Sequence, residues 1–233
     1  MKRIFLVTII MLIVVTPDVL AYSFGVEYDS TAGLDVNYYS ARDFANRLKA
    51  DGWTQSFLFG NAAAYEKDWK DATKGGWDTS YADAVDVAFW DGHGSPQGIY
   101  PDPPDDSEVN YNDAIWGDWN MEWMLAHSCS VLANDHISNW AYGTMGKGGH
   151  GLCSHATTCN AVNAGNRIAQ LLVAGWTFKD AWFQQHLELQ YSGCVARVIA
   201  TSATASDKLW NHGGMGADSS PGVAWYVWEC TKP

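Results

Sequence analysis

The chain has 233 residues, 47% hydrophobic and 14% aromatic, with 26 acidic residues against 14 basic ones and a formal charge of −12. That length holds one sizeable core and is short for two. The acidic balance excludes nucleic acid and anionic lipid surfaces as main partners, because like charge repels them.

Residues 1–21 read as a secretory signal peptide. Lys2 and Arg3 form the positive start, Ile4 to Val15 the apolar stretch, and Val19-Leu20-Ala21 the small-residue cleavage site. The apolar run is short for a spanning helix, which needs about 20 residues, and no later segment is a better candidate. The expectation is an exported protein, secreted or at the cell surface, with no membrane span after removal of the leader. Loss of Lys2, Arg3 and Asp18 removes two positive charges and one negative, which takes −12 to −13. With no internal repeat, low-complexity tract or linker, residues 22–233 are expected to form a single domain.

Along that domain, Phe24 to Tyr28 reads as a strand. Tyr38 to Ala50 has apolar residues at helical spacing and is stopped by Asp51-Gly52. Gln55 to Phe59 is a second strand and Ala62 to Ala72 a weaker helix. Val85 to Trp90 is a third strand, followed by a polar, Pro-rich loop. Glu122 to His127 is a fourth strand, Leu132 to Tyr142 a helix, and Gly151 to His155 a short fifth strand. Asn163 to Ala174 and Phe178 to Leu189 are helices broken at Gly175. Val195 to Thr201 and Val223 to Trp228 are the last strands. Strands alternating with helices imply crossovers and parallel pairing. The expected fold is α/β, a three-layer sandwich around a mostly parallel central sheet. In such sheets ligands sit at the carboxyl ends of the strands.

Two of those ends carry reactive groups. The stretch VDVAFWDGHGSPQG, residues 85–98, ends a buried run in Asp91-Gly92-His93-Gly94. Glycines on both sides allow positive φ and close backbone approach, which leaves the imidazole exposed and the Gly94 N–H free. Cys129, in MLAHSCSVLA, follows the next strong apolar run and is placed to start a helix, whose N-terminus favours thiolate. A nucleophilic cysteine needs a base nearby, which His93 supplies. The oxyanion formed on attack needs two donors, and the backbone N–H groups of Gly94 and Cys129 are the candidates.

A buried strand ending in Gly-His-Gly, and a second ending in Cys about one βα unit later, resembles the caspase–gingipain–legumain group of cysteine peptidases, as a divergent secreted branch. GNRIAQLLVAGWTFKDAW, residues 165–182, also resembles gingipain-like domains, and the likeness runs over roughly residues 24–205. The resemblance implies a caspase-like α/β fold and an exported cysteine peptidase. Cys129 would be the nucleophile, His93 the general acid/base, and a peptide or protein the substrate, with no cofactor required. The acidic surface, with Asp102, Asp105 and Asp106 near the site, points to a basic residue before the scissile bond.

The family commonly has a small residue or Asp, the Cys, one residue, then Ser or Gly and Gly. Here Ser130-Val131-Leu132-Ala133 follows Cys129, without a glycine. That departure carries the alternative, a non-catalytic caspase-like domain holding a glycan or peptide in a groove lined by Trp116, Trp119 and Trp123. These are three of thirteen tryptophans. Other candidates are weaker. His155, following a strand, is a further substrate-binding candidate. His150, Cys153, His155 and Cys159 lack the tight spacing of a zinc site, and a loop disulfide or core cysteines is the plainer reading. Asp102, Asp105 and Asp106, with Glu108 and Asn110, are oxygen donors that would suit calcium. His127 shares its side of the strand with Cys129 and is a second imidazole for the thiol. Five cysteines leave at least one unpaired. Two disulfides among Cys153, Cys159, Cys194 and Cys230, in any of three pairings, would leave Cys129 free.

Overall fold

The structure, a computed structural model, describes residues 22–31, 34–101 and 108–233. The leader expected at residues 1–21, and the calcium ligands expected at Asp102, Asp105 and Asp106, lie outside the described residues.

Seven strands form the central sheet: β1 (Ser23–Tyr28), β2 (Thr54–Gly60), β3 (Val87–Asp91), β6 (Trp123–His127), β7 (Gly151–His155), β8 (Val195–Thr201) and β9 (Trp225–Thr231). Two short strands, β4 (Gly98–Ile99) and β5 (Val109–Asn110), make a separate antiparallel pair. The sheet order is β2-β1-β3-β6-β7-β8-β9, and the first five strands run parallel. β8 and β9 close the far side antiparallel. Every residue of β3, β6 and β7 is buried, as expected for strands covered on both faces. The chain lays β2 on one side of β1 and returns to lay β3 on the other. Where the order reverses, the connections leave in opposite directions and open a crevice at the strands' carboxyl ends.

The three α-helices, α1 (Asn37–Ala50), α2 (Ala164–Val173) and α3 (Phe178–Leu189), all cover one face. α1 buries Ala41, Phe44, Ala45 and Leu48, a single stripe at i, i+3, i+4, i+7. Arg47 and Lys49 in its last turn suit the negative end of the helix dipole. α3 starts where Thr177 accepts a hydrogen bond from the Asp180 amide. These helices pack on Phe24, Val26, Val87, Phe89, Trp123 and Leu125 of the sheet.

The other face is covered differently from expectation. The segment expected as a helix from Ala62 to Ala72 is a series of 3-10 turns, Asn61–Ala63, Glu66–Asp68 and Ala72–Lys74. Asp71 accepts from the Thr73 amide and Asp68 from the Tyr65 amide, and such local side-chain bonds compete with α-helix. The helix expected from Leu132 to Tyr142 is a 3-10 turn, Asn134–His136, followed by a π-helix, Asn139–Thr144. Tryptophans make this third layer coherent. Trp69 packs edge-on to Trp90 and Trp116, and Trp116 packs on Trp140. Each buried indole N–H finds an acceptor: Trp69 donates to Glu27, Trp116 to the Trp69 carbonyl, Trp90 to the His93 carbonyl and Trp140 to the Pro96 carbonyl. The result is an α/β sandwich of three layers with a mostly parallel sheet.

Candidate functional site

Four parallel strands deliver their carboxyl ends to one cavity of about 250 Å³. Leu34 and Asn37 reach it after β1, Gly92 and His93 after β3, and Thr158, Cys159 and Asn160 after β7. From β6 come its last residue, His127, and Cys129 two residues on. The cavity thus lies at the reversal of strand order, and the two residues singled out as a dyad, His93 and Cys129, share it.

His93 is exposed and Cys129 half-buried. The glycines flanking His93 act by close approach rather than by positive φ, which neither adopts. A Cβ on Gly94 would stand 2.2 Å from Ser128 Oγ and 3.0 Å from the Cys129 carbonyl oxygen. One on Gly92 would stand 2.4 Å from the Trp90 ring. The loops after β3 and β6 therefore touch backbone to backbone.

Cys129 does not start a helix, contrary to expectation. It sits in a turn, and Ser130 behind it has φ 59°, a left-handed conformation uncommon for a residue with a side chain. Neighbours on both sides hold this turn. Ser128 Oγ donates to the Gly92 carbonyl (3.0 Å), and the Gly92 amide donates to the His127 carbonyl (3.2 Å). The Ser130 and Leu132 amides donate to the carbonyls of Thr157 and His155. Among the described residues, the amides of Gly94 and Cys129 have no acceptor. The Cys129 thiol donates to the Cys159 carbonyl at 3.4 Å.

His127 has partners at both ring nitrogens. In the β3–β6 register it stands opposite Asp91, and its Nδ1 lies 2.8 Å from Asp91 Oδ1. The carboxylate is the acceptor, so the proton is on Nδ1 and Nε2 offers a lone pair. Gln190 Nε2, at 3.3 Å, donates to it. Asp91 and Gln190 were not singled out by their residue types. The available signal was that Asp91 ends β3 and His127 ends the neighbouring β6.

His155 does not reach the cavity. It is fully buried, and its Nδ1 donates to the Ser128 carbonyl at 3.2 Å, so it buttresses the Cys129 turn from below. Burial, then the neighbouring imidazoles of His127 and His186, holds its pKa well below the usual histidine range, which keeps it neutral.

The three tryptophans expected to line a groove are separated. Trp116 is buried in the tryptophan layer. Trp123 is buried on the opposite face, stacked on Phe178 with ring centroids 4.8 Å apart. Trp119 alone is exposed, at 69%. A β-strand sends alternate residues to opposite faces, and the loop before β6 divides the rest.

Cys159 and Cys194 form a disulfide that ties the loop after β7 to the start of β8. Cys129, Cys153 and Cys230 are free thiols. Cys153 is in the core under the helices, where burial pushes its thiol pKa well up. Among the described residues, no three His, Cys, Asp or Glu side chains are set to hold a metal ion. No helix among them is long and apolar enough to cross a membrane, and a disulfide suits an extracytoplasmic setting.

Comparison with curated proteins returns no match. A family model described as a domain of unknown function, DUF6345, matches residues 23–230, and the chain belongs to that family.

Proposed function

We propose that the chain is an exported cysteine peptidase of caspase-like fold. Cys129 attacks the scissile carbonyl, and His93 acts as general base toward the thiol and general acid toward the leaving amine. The amides of Gly94 and Cys129 receive the oxyanion. The observation that carries this reading is that His93 and Cys129, from adjacent parallel strands, line one cavity at the sheet's carboxyl rim. Further support comes from the unsatisfied amides beside both residues and from the left-handed Ser130, strain of the kind that clusters at reactive turns. His127, held by Asp91, lines the same cavity as the thiol.

The test is hydrolysis of a fluorogenic peptide library varied before the scissile bond, using residues 22–233. Hydrolysis is expected, with a basic residue favoured at that position. Cys129→Ala should abolish it, and His93→Ala should lower kcat/KM by about 10²–10⁴-fold, the usual worth of a general acid/base. Hydrolysis that survives Cys129→Ala, or no hydrolysis of any library member, would overturn the reading.

A further inference from the structure

We propose that the Cys159–Cys194 disulfide is the exchange partner of Cys129, so that the bridge migrates between Cys159–Cys194 and Cys129–Cys159 and masks the nucleophile in the second form. The proposal rests on the reading of Cys129 as a reactive thiol and concerns the regulation of that same site.

Three cysteines meet at one place. Cys129 and Cys159 line the same cavity wall, and Cys129 Sγ lies 3.4 Å from the Cys159 carbonyl oxygen. The other free thiols are elsewhere: Cys153 is enclosed in the core on β7, and Cys230 lies on the edge strand β9. The bridge is itself buried, Cys194 completely and Cys159 to 3% exposure. Burial shields it from thiols in solution and leaves the neighbouring intramolecular thiol as its natural attacker.

The surroundings suit both ends of the step. Thr157 Oγ1 is 3.3 Å from Cys159 Sγ and can donate to it. Cys194 Sγ has two acceptors for a released thiol, the Thr158 carbonyl at 3.5 Å and Gln190 Oε1 at 3.6 Å. The same Gln190 side chain donates through Nε2 to His127, which is held by Asp91. A polar chain therefore runs from the leaving sulfur to the Asp–His pair on the cavity wall.

The step balances within the chain. Cys129 gives up its proton and attacks Cys159 Sγ. A Cys129–Cys159 S–S bond forms as the Cys159–Cys194 bond breaks, and the electron pair leaves on Cys194, which takes up a proton and donates it toward Gln190 Oε1. One disulfide is replaced by one disulfide, so no oxidant or reductant takes part.

The test is a time course of iodoacetamide labelling on residues 22–233, without reductant, read by peptide mass mapping under non-reducing conditions. Trypsin cutting after Lys147, Arg167 and Lys179 separates Cys129, Cys159 and Cys194 onto three peptides. The expected result is two products: labelled Cys129 with Cys159–Cys194 intact, and labelled Cys194 with a Cys129–Cys159 bridge. Cys129→Ser should lose the Cys194 label. Label that never reaches Cys194 in the unsubstituted chain overturns the proposal, as does Cys194 label that persists in Cys129→Ser. Peptide hydrolysis on the unlabelled sample is scored separately. Exchange without hydrolysis removes the peptidase reading and upholds this one, and hydrolysis without exchange does the reverse.

Discussion

At Gly94 the space a side chain would need is taken by Ser128 Oγ, Val131 Cγ2 (2.9 Å) and the Cys129 carbonyl oxygen. Backbone is the hardest of these to move, because the Cys129 turn is already bonded to the loops after β3 and β7. Gly94→Ala is therefore expected to cost about 1–3 kcal/mol, the range for forcing a methyl into packed space. It should also change the rate at which iodoacetamide reaches Cys129. Gly143→Ala is the control, since the nearest atom outside its own helix is 3.9 Å from the added carbon, and it should not destabilise the chain, because alanine is the better helix former. Urea unfolding of the two variants decides the matter: equal stability would mean that the loops after β3 and β6 do not touch as described. The Gly-His-Gly spelling pointed to this site, but its stated cause was only half right. Close approach could be read from glycine as one of its two uses, whereas the absence of positive φ could not.

Elements were legible where a regular period governed them. Val195–Thr201, Gly151–His155 and Phe178–Leu189 have the bounds expected from their apolar runs and helical spacing. Asp51-Gly52 ends α1 where it should, with Gly52 at φ 95°. The layer between β2 and β3, and that after β6, has no period to read. Its order comes from Trp69, Trp116 and Trp140 meeting over the sheet from distant positions in the chain, a tertiary fact that spacing does not encode. The disulfide was open for the same reason. Cys159 and Cys194 are 35 residues apart, and only the return of β8 beside β7 brings them together. That bridge anchors Thr158, Cys159 and Asn160 as one wall of the cavity. Cys159→Ser/Cys194→Ser should lower stability by about 2–4 kcal/mol, the usual worth of a bridge closing a loop of this length. The expected signature in urea is a lower midpoint, with the denaturant slope reporting whether the unfolded chain has also changed compactness. An unchanged midpoint would mean that the bridge does not constrain the β7–β8 connection.

The whole molecule has a polarity along its strands. Its carboxyl rim holds the cavity with His93, His127 and Cys129. Its amino rim holds carboxyl groups: Asp86 and Glu122 immediately precede β3 and β6, and Asp207 and Asp218 act on Glu122. Burial above all, then the charge of Asp86, pushes the Glu122 pKa up to about 9, and one of its oxygens has no hydrogen-bond partner among the described residues. Asp83 is pushed up to about 7 and Asp78 to about 6, each chiefly by burial. A carboxyl raised on folding is protonated in the native chain and ionised in the unfolded chain, so the native state holds the extra proton. Its stabilising effect is complete below the unfolded value and fades as pH rises toward the folded one. Above about pH 7.5, Asp78 and Asp83 are largely ionised in both states, and the carboxyls that still differ are the fully buried Glu27 and, at the amino rim, Glu122. Between about pH 7.5 and 8.5 the chain should lose up to about 1.4 kcal/mol on account of Glu122, and each kcal/mol lowers Tm by about 2–4 °C at this size. Glu122→Gln cannot ionise, so its Tm should be flatter across the window and higher than that of the parent at the upper end. Parallel melting curves for the two proteins would mean that Glu122 is ionised in the folded state and that its charge is compensated at the amino rim.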